Sequence, residues 1–375
     1  MSTIKTNAIL DASGGNTTTI NGATPTAYNT MGKNRIINGA MEIDQRNAGG
    51  AVTTNSSFAV DRWVNIDSLS TGAFSAQQIP YSTVPPPAGF AYSVRWTVTT
   101  AEASPSSGNS HIRQLIEGYN VSDTAFGTAD AKNITVSFWC RSSVTGTHSG
   151  SLRNHDGSRS YPFSFTISSA DTWTYVTKTI PGDTAGSWNV FANLNSAAII
   201  LSFNMGSESA KLGTANSWAS TNYVGTTGSV QLCETLNATF YITGVQLEVG
   251  SVATEFERRP YGIELMLCER YYQKYTGNTT SYPLFGVGHA YSSNQVMGVS
   301  KGLTTNMRAY PTASLTGTWY ARRYDASSDV LNNPTIAVST NFVSINGERN
   351  NSGLTAGHAC TVWSETGSLI LSAEL

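Results

Sequence analysis

The sequence predicts an all-β protein: a jelly-roll β-sandwich followed by one short helix and a smaller C-terminal β domain, with an extended N-terminal segment. Three observations carry this. Apolar and polar residues alternate along many short runs, the pattern of half-buried strands. Gly, Asp, Asn and Ser cluster between those runs as turns. Charged residues fill only 12% of the 375 positions, against about 25% in an average soluble protein. Aromatic residues reach 10%, and a polar, aromatic-rich composition suits pleated surfaces better than a helical enzyme.

The chain divides into four parts. Residues 1–33 hold one strand candidate, Thr3 to Leu10, and then turn-rich polar sequence around Gly14, Gly15, Asn21 and Gly22. Such a segment buries too little apolar surface to fold alone, so it is either a disordered tail or an element that docks on copies of itself or on a larger body. Residues 34–255 read as strand after strand. In "AYSVRWTVTT", Tyr92, Val94, Trp96 and Val98 share one face; in "NITVSFWCRSS", Ile134, Val136, Phe138 and Cys140 do, while Trp139 and Arg141 point the other way. "YPFSFTIS", "WTYVTKTI", "AAIILSFNM" and "TFYITGVQLEV" continue the series without an intervening helical pattern. That predicts an antiparallel two-sheet sandwich and excludes a parallel α/β fold.

The pattern changes at residues 256–278. Pro260 and Gly262 mark a helix start, Glu264 lies in its first turn, Arg270 and Lys274 in later ones, and Gly277 is placed to end it. Tyr261, Leu265, Cys268, Tyr272 and Tyr275 recur at spacings of four, three, four and three, a seam like that of a coiled coil. The seam either packs on the protein's own sandwich or meets copies of itself along an oligomer axis. Residues 279–375 return to strands, and the final apolar run "SLILSAEL" predicts a tethered C-terminal end.

Several functions are disfavoured. A formal net charge of -2 with no Lys/Arg cluster offers no footprint for nucleic acid. No apolar run approaches the roughly 18 residues a membrane helix needs, and the first ten residues lack a secretion-signal core. Cys140, Cys233, Cys268 and Cys360 form no CxxC pair and are expected as free, mostly buried thiols. The histidines, His111, His148, His155, His289 and His358, stand apart from acidic partners in sequence and are expected at the surface or in turns. Carboxylates such as Glu117, Asp123, Asp156, Glu234 and Glu248 show no spacing that singles out a glycosidase pair. No repeat of 20 to 30 residues is present. The expectation is a protein that is not an enzyme and needs no cofactor.

Four pieces carry a family resemblance: "STIKTNAILDASGGNTTTING", "NRIINGAMEIDQRN" with "FAVDRW", "ITGVQLEVGSVATEFERRPYGIELMLCERYYQKY", and "NMRAYPTAS". Together they resemble tail fibre proteins of tailed bacteriophages, especially those of aquatic bacteria. "SHIRQLIEG", "ITVSFWCRSS", "WTYVTKTIPGD" and "FYITGVQLEV" are similar, in pattern only, to carbohydrate-binding jelly-roll modules. The resemblance implies a virion protein assembled in the host cytoplasm, commonly a homotrimer. Its N-terminal segment would attach to other tail or baseplate proteins and its β domains would meet host surface polysaccharide. It makes the helical seam a candidate trimer contact.

Sugars stack their C–H faces on aromatic rings and hydrogen-bond to Asn, Asp, Gln and Arg. Trp188 and Trp218, in the loop-like stretches "PGDTAGSWNV" and "GTANSWASTNYVG", are the glycan-binding candidates, with Tyr223 and Arg159 as neighbours. The opposing reading is that they cap the core. Glu42 is a weak candidate ligand for the structural calcium of such modules, but Gly244 stands where a second acidic ligand would fall. A purely structural connector and a polysaccharide depolymerase are the two alternatives to an adhesive fibre.

Overall fold

The computed structural model of the protein describes residues 32–277, 284–323, 328–349, 353–364 and 366–375. Residues 1–31, and with them nearly all of the expected attachment segment, lie outside the described residues. Two compact units are present, one ending at Arg259 and one beginning at Pro260.

The first unit contains β1 (Ser57–Val60), β2 (Trp63–Asp67), β3 (Ala73–Pro80), β4 (Tyr92–Thr100), β5 (Asn109–Glu117), β6 (Ile134–Ser142), β7 (Gly146–Asn154), β8 (Ser160–Ile167), β9 (Thr174–Ile180), β10 (Ala197–Ser207), β11 (Leu212–Gly213), β12 (Gly225–Thr226) and β13 (Thr239–Val249). A six-stranded sheet runs β1-β2-β5-β10-β7-β8 and a five-stranded one β3-β4-β13-β6-β9; β11 and β12 make a short parallel pair. The two larger sheets are antiparallel throughout. Val94, Trp96 and Val98 of β4 and Val136, Phe138 and Cys140 of β6 are completely buried, as their alternation requires. Phe138 packs edge-on against Phe203 of β10 at 4.8 Å and Phe165 of β8 at 5.1 Å, so both sheets close on one core. Burial of each such ring contributes about 1.5–3 kcal/mol.

The entry and exit of this sandwich are stitched together. Residues 34–41 run beside β13, with Arg35 N donating to Leu247 O at 2.8 Å and Val245 N donating to Gly39 O at 2.9 Å. The chain leaving β13 folds back over them. Glu257 accepts from the backbone N–H groups of Gly32 and Asn34, and Arg259 donates to the carbonyls of Asn34 and Ile36. Two of the sequence pieces that carry the tail-fibre resemblance therefore meet as one clasp.

The second unit contains α1 (Tyr261–Glu269), β14 (Tyr272–Thr276), β15 (Leu284–Ala290), β16 (Gln295–Gly302), β17 (Thr312–Thr316), β18 (Trp319–Arg323), β19 (Ser328–Val338), β20 (Phe342–Arg349), β21 (Ala359–Ser364) and β22 (Ser368–Ser372). Six strands close a barrel in the order β15-β16-β20-β19-β18-β21, and β14-β22-β17 form a separate three-stranded sheet. The C-terminal strand is tied down as expected: β22 lies between two partners, and Leu369 and Leu371 are fully buried. Arg308, from "NMRAYPTAS", donates to the carbonyls of Ala373 and Glu374.

The expected helical seam is corrected here. The helix stops at Glu269, and Tyr272 and Tyr275 belong to β14, paired with β22. Tyr271, Tyr272 and Gln273 are buried at that pairing, so strand formation, favoured by the Tyr-rich run "YYQKYT", wins over the helical spacing. Of the five seam residues only Cys268 lies buried on α1; Leu265 is half-buried and Tyr261 is 61% exposed.

All four cysteines are buried and outside any disulfide, and burial pushes the Cys233 thiol up to about 12. The placement of the histidines needs a partial correction. His111 and His148 sit inside strands β5 and β7, each 2% exposed, and burial holds both below the usual imidazole range.

Candidate functional site

The sequence-derived candidates do come together, at one end of the six-stranded sheet. The turn between β7 and β8 uses Gly157 at φ +72° and Asp156, whose Oδ1 accepts from Ser158 N at 2.8 Å. It sends Arg159 toward the loop after β9. Arg159 Nε and Nη2 each donate to a different oxygen of Asp183 at 2.7 Å, and Nη1 donates to Ser220 Oγ at 3.0 Å. The guanidinium also lies 5.7 Å from the centre of the Trp218 ring.

They differ in exposure. Trp188 is only 7% exposed; it meets Phe126 edge-on at 4.9 Å and Trp218 at 5.7 Å, and its Nε1 donates to Ala185 O. It is a core residue and not a stacking platform. Trp218 is half-buried, held edge-on by Phe126 and Tyr161, with Nε1 donating to Pro181 O at 2.9 Å. Tyr223 covers Gly213, where an added Cβ would come within 2.3 Å of its ring. A bidentate ion pair holds this corner together.

The outer face of the five-stranded sheet carries a second group of aromatic and polar side chains. Side chains alternate across a strand, so those opposite the core face stand out from this sheet. One cross-strand row reads Gln77, Arg95, Tyr241 and Arg141, and Trp173 lies just before β9 beside its end. The neighbouring row holds Thr243, Trp139 and Tyr175. Trp139 and Tyr175 lie 5.0 Å apart and Tyr175 is 45% exposed. Arg141 sits 5.5 Å over the Tyr241 ring and pairs with Asp171 at 3.0 Å, while Arg95 donates to Gln77 Oε1 at 3.1 Å. Trp173 is oriented by Nε1 donation to Pro85 O at 2.9 Å. With neighbouring strands about 4.8 Å apart, a row over five strands extends roughly 19 Å, room for an oligosaccharide. These residues were not among the sequence-derived candidates, although the alternation in "SFWCR" sets Trp139 and Arg141 on the non-core face and could have singled them out.

The calcium expectation weakens at Gly244. This residue has φ +62° at a bulge in β13, and an added Cβ would come within 2.6 Å of the Phe90 ring. A larger residue there is strained and crowded, while Glu42 is half-buried across the entry segment. Among the described residues, no three His, Cys, Asp or Glu side chains gather as a metal site. Two of the carboxylates named above have structural partners: Asp123 pairs with Arg35 at 2.6 Å, and Glu248 accepts from Thr254 N and Oγ1.

In the second unit, Lys274, Tyr275, Phe285, Lys301 and Trp319 line a cleft of about 330 Å³, with Lys301 Nζ 5.1 Å over the Tyr275 ring.

No protein-family model matches the sequence, and no curated protein does. Among solved structures, the chain is similar to the enzymatically active domain of tailspike protein 4 of bacteriophage CBA120, over 58% of its length, at 11% identity and a TM-score of 0.31; it spans 22% of that chain. It is also similar to the family 11 carbohydrate-binding module of Clostridium thermocellum in complex with a mixed-linked tetrasaccharide, covering 56% of this chain and 100% of the module at 11% identity and a TM-score of 0.27. A third similarity is to the module TmCBM61 in complex with β-1,4-galactotriose, covering 58% and 99% of the two chains at 10% identity and a TM-score of 0.29. These superpositions are partial, and the sandwich stands on its own strands and core.

Proposed function

We propose that the protein is an adhesive tail-fibre subunit of a tailed-bacteriophage virion that holds host surface polysaccharide without cleaving it. The observation that carries glycan binding is the aromatic and guanidinium face on which Tyr175 is exposed, Trp139, Trp173 and Arg141 are half-buried, and the buried Tyr241 ring lies beneath Arg141. Rings supply stacking surfaces and the flanking Arg, Asp171 and Gln77 supply hydrogen bonds to hydroxyls. The fibre role rests on the sequence resemblance, with the N-terminal segment attaching to tail or baseplate proteins.

The test is incubation of purified protein with host envelope polysaccharide, reading both binding and new reducing ends. Tyr175→Ala and Trp139→Ala are each expected to weaken binding about tenfold or more, as loss of an aromatic anchor does. Unchanged binding in both variants would move the site elsewhere. New reducing ends would favour the depolymerase reading, and neither signal would favour the connector.

A homotrimer is part of the same proposal, with a revised contact. On α1 the exposed apolar residues are Tyr261, Ile263 and Met266, the last two 46% and 51% exposed. Met266→Asp is expected to dissociate the oligomer in light scattering; a mass that stays trimeric places the axis elsewhere.

A further inference from the structure

On the six-stranded sheet, the outward residues of three adjacent strands form a polar patch quite unlike the aromatic face. Arg113 and His111 stand on β5, Ser202 and Asn204 on β10, Ser151 and Arg153 on β7. Arg153 reaches across the width of β10 to His111, Nη2 to Nε2 at 3.4 Å, and its Nη1 donates to Asn222 Oδ1 at 2.8 Å. The chain between β10 and β13 roofs part of this patch: Gly225 lies against Asn204 and Ser149, and Ser149 Oγ donates to Ser229 Oγ. Arg153 is 4%, His111 2% and Asn204 3% exposed, while Arg113 remains half-buried and reaches solvent.

The patch is short of acceptors. Neither Arg113 nor Arg153 has an ion pair among the described residues. Arg113 Nε, Arg153 Nε, His111 Nδ1 and Asn204 Nδ2 are buried without a hydrogen-bond partner. Because His111 Nε2 accepts from Arg153, the neutral ring carries its proton on Nδ1, so all four orphan atoms are donors. The hydroxyls of Ser151 and Ser202 are already spent on each other at 2.9 Å. Two guanidiniums, one buried and one half-buried, and four orphan donors with no ion-pair partner leave positive charge and hydrogen-bonding capacity uncompensated, an unfavourable arrangement for the protein alone. The same strain is visible at Arg153, whose guanidinium is pushed down to about 9 by burial and by Arg113.

We infer that Arg113, Arg153, His111 and Asn204 form a binding site for an oxyanion, the carboxylate, sulfate or phosphate of an acidic saccharide. Such a group is acceptor-only and bears the missing negative charge, and guanidinium forks match its geometry. The site is independent of the aromatic face, so either can fail without the other.

The experiment is titration calorimetry on the full chain at fixed ionic strength, with oligogalacturonate, inorganic phosphate, and a neutral galactose oligomer of equal length as probes. Wild type is expected to bind oligogalacturonate, and Arg113→Met to weaken it at least tenfold. Tyr175→Ala should leave most of this affinity in place. Phosphate binding that is lost in the same variant also supports an oxyanion site, with a free ion as its occupant. Equal affinity in wild type and Arg113→Met, or no binding of either anion, overturns the proposal. Arg113 is chosen because it is half-exposed; should its variant misfold, Asn204→Leu supplies the same comparison. The melting temperature adds a check: without ligand, Arg113→Met should melt no lower than wild type, since it removes repulsion.

Discussion

Trp96→Ala is expected to destabilise the sandwich by about 3–5 kcal/mol, and Trp96→Phe by about 1–3 kcal/mol, in urea denaturation followed by circular dichroism. Trp96 is fully buried on β4, and its Nε1 donates at 2.9 Å to Asn65 Oδ1 on β2 of the opposite sheet. The alanine variant loses the ring and leaves a cavity. The phenylalanine variant keeps most of the volume but strands the Asn65 carbonyl in the core, where its amide nitrogen already lacks a partner. Removing both polar groups of a buried pair is far less costly than removing one, so adding Asn65→Leu to Trp96→Phe should recover most of the loss. A Trp96→Phe variant within 0.5 kcal/mol of wild type would show that the bond contributes little.

The alternation that made the fold legible also set the limits of what could be read. Period-two patterning placed Val94, Trp96, Phe138 and Cys140 correctly in the core because one face of each strand is dry. The same arithmetic put Trp139 and Arg141 outside, but cross-strand register decides what stands beside them. That register, which brings Tyr175 against Trp139, comes from chain segments far apart in sequence. Trp188 looked like a loop residue, and it is one; the loop turns inward because Phe126 and Trp218 give its ring a place to pack. The helix was overextended for a related reason. Spacings of four and three fit Tyr272 and Tyr275 until β22 offers them a ladder of backbone hydrogen bonds.

The corner around Arg159 tests whether a candidate site can be told from a brace. Asp183→Ala is expected to cost about 3 kcal/mol, the lower end for breaking a buried ion pair, since the Arg159 side chain keeps 15% of its exposure and can recruit some water. Asp183 is 2% exposed; it accepts twice from Arg159 and also from Ala185 N at 3.2 Å, so its loss loosens the loop that carries Trp188. The double variant Arg159→Met with Asp183→Leu removes both charges and should recover much of that stability, a coupling a double-mutant cycle reads directly. If the corner is only a brace, Asp183→Ala lowers the unfolding midpoint while glycan binding, measured well below that midpoint, stays within twofold of wild type. If binding collapses in Asp183→Ala and survives in Tyr175→Ala, the sugar sits on Trp218 and Arg159, and the aromatic face of the five-stranded sheet is the part that merely packs.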